Sequence, residues 1–160
     1  MIKAGDKLPA DVKLMEMGDG GPQAVTVGDL TKGRTVVVFA VPGAFTPTCS
    51  MKHLPGFVEK SADLRAKGVD EVVCLSVNDA FVMGAWGKDQ GAAGKVRMVA
   101  DGNGELTRAL GLEMDGTGFG MGQRSKRYAM VVKDGTVAEL LVEPAGGLNV
   151  SSAESVLAKL

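Results

Sequence analysis

The feature that most constrains the fold of this chain is a run of β-branched and apolar residues at Thr35–Val41, which contains no charged side chain. A strand of this kind is apolar on both faces, so other elements must cover both of them. Similar runs at 71–77 and 95–100 alternate with stretches in which apolar residues recur at helical spacing. This alternation predicts a sheet with helices packed against it.

The last third of the chain follows a different order. An Asp-Gly pair at 134–135 lies between two apolar runs, a setting that is typical of a β-hairpin. A terminal helix is predicted over 151–160 with Ser152 as its N-cap, and 111–122 has the pattern of a long irregular loop. The order predicts an α/β sandwich with a central mixed β-sheet flanked by helices, in a single domain over 1–160.

Composition limits the partners that such a domain can have. The 18 lysines and arginines balance 19 acidic residues, for a net charge of −1, so we expect no nucleic-acid partner. No apolar run approaches the roughly 18 residues of a membrane span, and the first residues lack the apolar segment of a secretory signal. We therefore expect a cytoplasmic protein with no membrane partner.

The two cysteines and the single histidine are too few for a disulfide-stapled fold or a Cys/His zinc site. Cys49 follows the first strand in the segment Pro42-Gly43-Ala44-Phe45-Thr46-Pro47-Thr48-Cys49. Thr46 is a suitable N-cap and Pro47 a suitable first helical residue, which places Cys49 in the first turn of a helix. Free backbone N–H groups and the helix dipole favour a thiolate there. The competing interpretation is a small buried hydrophobe.

The helix after Cys49 contains a proline, Pro55, which removes a backbone hydrogen bond and predicts a kink. His53 lies four residues after Cys49 and could face it on a regular helix. Because Pro55 disturbs that register, we expect His53 to lie at the surface or to pack against neighbours.

The segment 41–50, continued by 53–57, resembles the active-site segment of the peroxiredoxins, and closely that of the type II, five-like subgroup. The similarity continues in three further blocks at 74–82, 124–128 and 150–153. The resemblance implies a thioredoxin-like fold. It also implies a thiol-dependent peroxidase that reduces hydrogen peroxide and alkyl hydroperoxides, in antioxidant defence and cell redox homeostasis.

The family's PxxxTxxC motif corresponds to Pro42, Thr46 and Cys49. The resemblance makes Cys49 the peroxidatic cysteine, which cycles through a sulfenic acid. It makes Thr46 the residue that orients sulfur and peroxide, and Pro42 a shield against water. The family's distant arginine corresponds to Arg127, which would stabilise the thiolate and polarise the O–O bond. Arg124, three residues earlier, is the competing candidate.

The resemblance also implies a homodimer that needs neither a metal nor an organic cofactor. Its reductant would be an external thiol donor, either thioredoxin or glutaredoxin with glutathione. Two rival interpretations are a redox-inert interaction or chaperone module and a glutathione-dependent thiol transferase. The absence of a CxxC pair, together with Thr46 and Arg127, favours the peroxidase over both.

Cys74 has two interpretations. Some five-like peroxiredoxins carry a resolving cysteine in the C-terminal loop, which here reads Gly146-Gly147-Leu148-Asn149-Val150-Ser151 and contains none. Others place a second cysteine where Cys74 stands, which makes Cys74 the candidate resolving cysteine. Its position inside an apolar strand instead favours an inert core thiol. We expect both cysteines to be free thiols in the reduced fold.

Overall fold

The computed structural model describes all 160 residues. Its strands are β1 (Lys13–Gly18), β2 (Gly21–Thr26), β3 (Thr35–Val41), β4 (Glu71–Ser76), β5 (Arg97–Ala100), β6 (Glu113–Asp115), β7 (Gln123–Ser125), β8 (Tyr128–Lys133) and β9 (Thr136–Val142). Its α-helices are α1 (Val27–Thr31), α2 (Leu54–Ala66), α3 (Ala80–Asp89), α4 (Glu105–Leu110) and α5 (Ala153–Leu157). A π-helical turn at Cys49–His53 and a 3₁₀ turn at Thr117–Phe119 complete the elements.

The central sheet has seven strands in the order β2-β1-β5-β4-β3-β8-β9. The strand β3 pairs with β4 in parallel and with β8 in antiparallel orientation, so the sheet is mixed. This arrangement confirms the predicted α/β sandwich with a central mixed β-sheet flanked by helices. No helix is both long and apolar enough to span a bilayer.

Alternate residues of β3 supply two separate cores. Phe39 lies with residues of α2, α3 and α5 on one face of the sheet, and Val38 lies with residues of α1 and α4 on the other. Because side chains point alternately to the two faces of a strand, burial of β3 on both faces requires its continuous apolar sequence. Cys49 and Cys74 both belong to the first of these cores.

The predicted hairpin is present between β8 and β9. Asp134 and Gly135 both have positive φ angles, 49° and 78°, the conformation that two-residue hairpins with a type I′ turn require. The terminal helix is shorter than predicted and covers Ala153–Leu157, with the Ser152 side chain accepting from the Ser155 N–H as its N-cap.

Two regions differ from the sequence-based expectations. The segment 111–122 is not a loop throughout, because β6 and β7 form a small antiparallel hairpin around the 3₁₀ turn. The N-terminal hairpin of β1 and β2 was not predicted either. The strands β6 and β7 are only three residues long, and β1 and β2 are partly exposed. None of the four has the long apolar run that identifies a buried strand.

Candidate active site

Cys49 follows the central strand β3, from which residues 42–48 separate it. The helical segment starts at Pro47, and the N–H of Ser50 donates to the Thr46 carbonyl at 2.9 Å. Thr46 therefore precedes the helix and Pro47 is its first residue, as predicted. Cys49 begins the π-helical turn and is fully buried.

The predicted kink at Pro55 takes a different form in the structure. The Leu54 N–H donates to the Cys49 carbonyl, five residues back, and α2 begins at Leu54 with Pro55 in its first turn. A π-helical turn accommodates one residue more than an α-helical turn and is frequent at functional sites.

The Thr46 hydroxyl does not cap the helix as its predicted N-cap role requires. It donates to the Gly43 carbonyl at 2.6 Å and accepts from no N–H of the first turn, which leaves its oxygen lone pairs free to accept. A Cβ on Gly43 would lie only 3.0 to 3.2 Å from Met121, Arg124 and Thr46 side-chain atoms, so the loop is tightly packed here.

The Asn78 side chain holds the loop between β3 and the helix. The Asn78 Oδ1 accepts from the Ala44 N–H at 3.0 Å and from the Ser76 hydroxyl. Pro42 is half-buried at the start of this loop. Phe45 is 52% exposed and has a φ of 65°, a left-handed conformation that is strained for a bulky residue.

Arg127, and not Arg124, reaches the cysteine. The Arg127 Nη2 donates to the Cys49 Sγ at 3.1 Å, and both residues are buried. Arg124 instead donates from Nε to the Met121 carbonyl at 2.9 Å and from Nη1 to the Pro42 carbonyl at 3.5 Å. Arg124, the competing candidate, therefore stabilises the loop, while Arg127 contacts the sulfur.

His53 belongs to the same cluster, which corrects its expected place at the surface or in simple packing. It is only 1% exposed, and its Nε2 lies 2.8 Å from the Ser151 carbonyl while its Nδ1 lies 2.9 Å from the Arg127 Nη1. A carbonyl only accepts and a guanidinium only donates, so the neutral tautomer with hydrogen on Nε2 satisfies both contacts. Burial, together with the Arg127 charge, lowers the pKa of His53 to about 4.

The register on which the His53 prediction depended is set by the π-helical turn. The four-residue spacing from Cys49 was the only sequence signal that His53 belongs to this cluster. Pro55 lies beyond the turn, and His53 remains joined to the cluster through Arg127.

Cys74 lies in the middle of β4, paired with Phe39 of β3 and Met98 of β5. It is fully buried, and burial raises the pKa of its thiol well above the ordinary value. Cys49 and Cys74 are both free thiols, as expected for the reduced fold.

A tryptophan lies beside the π-helical turn. Trp86, the only tryptophan of the chain, is fully buried and donates from Nε1 to the Ser50 hydroxyl at 3.0 Å. Ser50 directly follows Cys49, so the indole contacts the segment that carries the thiol.

A buried thiol held by a guanidinium, at the start of a helix that follows a central strand, defines a thiol-based redox protein of thioredoxin-like fold. The Redoxin family model matches residues 3–157. Peroxiredoxin-2B of Arabidopsis thaliana is 52% identical over 160 residues, which cover 99% of this chain and 98% of the relative. Chloroplastic peroxiredoxin-2E-2 of Oryza sativa subsp. japonica is 54% identical over 163 residues, covering 99% and 72%.

A solved structure of similar sequence is that of reduced Prx3 from Vibrio vulnificus in complex with hydrogen peroxide. It is 50% identical to this chain, covers 99% of both chains and superposes with a TM-score of 0.95. The chain therefore belongs to the redoxin family and, within it, to the type II peroxiredoxins, which are thiol peroxidases.

Proposed function

We propose that Cys49 is the nucleophile of this peroxidase and that Arg127 is the cation that serves it. The observation that carries the proposal is the 3.1 Å contact from the Arg127 Nη2 to the Cys49 Sγ. A guanidinium donates more strongly to an anionic sulfur than to a neutral thiol, and the buried surroundings strengthen this contact relative to water.

The substrates are hydrogen peroxide and alkyl hydroperoxides. The Cys49 thiolate attacks the terminal peroxide oxygen, so an S–O bond forms from the sulfur electron pair while the O–O bond breaks. The leaving oxygen departs with the bonding pair and takes a proton to become water or an alcohol, and the sulfur becomes a sulfenic acid. Arg127 stabilises the charge that moves to the leaving oxygen.

Thr46 and Pro42 complete the pocket in this proposal. The Thr46 hydroxyl gives its hydrogen to the Gly43 carbonyl, so its oxygen can accept the O–H of the incoming peroxide. Pro42 has no backbone N–H and keeps water from the sulfur. These two residues orient the peroxide and protect the thiolate.

An external thiol donor, glutaredoxin with glutathione or thioredoxin, restores the enzyme. One thiol condenses with the sulfenic acid, releasing water and leaving a mixed disulfide, and a second thiol cleaves that disulfide to regenerate Cys49. Cys74 acts as a core thiol rather than an obligatory resolving cysteine, an assignment supported by its full burial and its raised pKa.

We propose that the protein forms a homodimer and acts in the cytoplasm. The exposed aromatic side chains of Phe45 and Phe119 support an interface beside the active-site loop, because exposed apolar groups favour association. One of the relatives named above is chloroplastic, and cell fractionation tests the proposed location.

The test compares Cys49→Ser with Cys74→Ala as the matched cysteine control. Peroxide loss is measured in parallel with thioredoxin and with glutaredoxin plus glutathione. We expect Cys49→Ser to abolish turnover with both donors and Cys74→Ala to retain most of it. Turnover of Cys49→Ser within about tenfold of the parent, or about 1.4 kcal/mol of barrier, would remove Cys49 from the role of nucleophile.

Mass spectrometry of the peroxide-treated protein separates the two roles of Cys74. A trapped sulfenic acid on Cys49 without a disulfide supports direct recycling. A stoichiometric Cys49–Cys74 disulfide, together with loss of turnover in Cys74→Ala on both donors, would make Cys74 an obligatory resolving cysteine. Supplying a low-molecular-weight disulfide instead of a peroxide tests the rival thiol transferase.

A further inference from the structure

A buried carboxylate organises the loop between β9 and α5. Glu143, the residue after β9, is 6% exposed. Its Oε2 accepts from the backbone N–H groups of Asn149, Val150 and Ser151 at 2.9, 2.8 and 2.8 Å, and from the Ser151 hydroxyl at 2.7 Å. These four donors lower the pKa of the carboxyl although burial opposes them. One carboxylate oxygen thus fixes the end of the loop.

The same loop is connected to the cysteine by a continuous series of hydrogen bonds. The Ser151 carbonyl accepts from His53, the His53 Nδ1 accepts from Arg127, and Arg127 donates to Cys49. The backbone provides a second connection, because the Glu143 N–H donates to the Arg127 carbonyl at 3.0 Å. Glu143 therefore holds the Arg127 main chain directly and its guanidinium through Ser151 and His53.

Because the guanidinium is planar, this series of hydrogen bonds sets the direction of the nitrogen that contacts the sulfur. Its nitrogens lie in one rigid plane, so fixing Nη1 against His53 also fixes the direction in which Nη2 points. A carboxylate in the place of His53 would hold the arginine equally well but would neutralise its charge. A neutral imidazole orients the guanidinium and leaves its positive charge for the sulfur and the peroxide.

We propose that Glu143 is a positioning residue of the peroxidase, which acts through the Ser151 carbonyl and His53 to hold the Arg127 guanidinium against Cys49. The proposal rests on the function proposed above for Cys49 and Arg127. Glu143 itself touches neither sulfur nor peroxide. It sets the position of the group that does, although it lies 94 residues after Cys49 in the chain.

The test measures how fast Cys49 is oxidised by hydrogen peroxide in a single turnover without reductant, followed by the fluorescence of Trp86. Glu143→Gln keeps an acceptor oxygen and removes the charge. His53→Phe keeps the aromatic packing against Phe39 and removes both hydrogen bonds. We expect each variant to slow oxidation at least tenfold.

The double variant distinguishes positioning from a separate structural effect. If Glu143 acts through His53, adding Glu143→Gln to His53→Phe should slow oxidation less than threefold further, because the connection is already broken. His53→Gln, which can both donate and accept, should recover at least part of the rate. Exposed Glu154→Gln is the matched charge control and should oxidise at the parent rate.

Two results would overturn the proposal. One is oxidation of Glu143→Gln within threefold of the parent, and the other is an undiminished effect of Glu143→Gln in the His53→Phe background. Should Glu143→Gln fail to fold, Ser151→Ala removes one of the four donors to the carboxylate and should slow oxidation, while an unchanged rate would count against the proposal. Failure of hydrogen peroxide to oxidise Cys49 in the parent protein would instead refute the proposed function.

Discussion

Acidification from about pH 7.5 to about pH 5 should destabilise the fold through His53. Its pKa is lowered from 6.5 to about 4, chiefly because burial disfavours the charged ring, with Arg127 acting in the same direction and the Ser151 carbonyl and Glu143 opposing it. Between these two values the unfolded chain binds a proton that the folded chain does not. The free energy of unfolding therefore falls as the pH drops below about 6.5, and the linkage relation gives a loss of about 2 kcal/mol at pH 5.

The assay is urea unfolding at both pH values, at one fixed protein concentration, for the parent and for His53→Gln. Glutamine can form the same two hydrogen bonds but does not titrate in this range, so the variant should lose about 2 kcal/mol less than the parent on acidification. Comparing the two proteins cancels the carboxylates, whose titration is common to both. An equal loss in the variant, with unchanged denaturant slopes, would show that the neutral, buried His53 is not the source of the pH dependence.

Two further predictions follow from single contacts. Arg127→Gln should slow oxidation of Cys49 by peroxide by about 10- to 100-fold in stopped-flow measurements, because a hydrogen bond from a charged donor contributes about 1.5–3 kcal/mol; a rate within threefold of the parent would contradict the assignment. Gly87→Ala should lower the free energy of unfolding by about 1–3 kcal/mol, since its Cβ would lie 2.6 Å from the Met98 Cγ. Gly84→Ala on the same helix is the control. Its added Cβ meets the exposed Met17 side chain, which can move aside, so this variant should lower the free energy of unfolding less.

The sequence predicts those parts of the site that depend on local order along the chain. The run at Thr35–Val41 requires a doubly covered strand, and Thr46 followed by Pro47 places Cys49 at the start of a helix; both features are present. The resemblance then selects Arg127 for the distant cation. The order of residues along the chain does not by itself choose between Arg127 and Arg124, because the choice depends on how β7 and β8 lie against the active-site loop.

The parts that depend on distant contacts are the ones that the sequence does not predict. His53 contacts the Ser151 carbonyl, a backbone group 98 residues away that any residue type would supply. Glu143 carries no signal either, since it follows a strand in a Gly-rich region where a solvated carboxylate is the ordinary expectation. The short strands β6 and β7 were missed because three residues are too few to show a period of two.

The π-helical turn sets the direction in which the Cys49 side chain points relative to α2. The Leu54 N–H donates to the Cys49 carbonyl, whereas α-helical geometry would have it donate to the Ser50 carbonyl. The additional residue turns the segment before Leu54 by about 100° relative to a continuous α-helix, so this turn sets the direction in which the Cys49 side chain leaves the helix. A continuous α-helix built on the same α2 would direct the sulfur away from the Arg127 Nη2 that now contacts it.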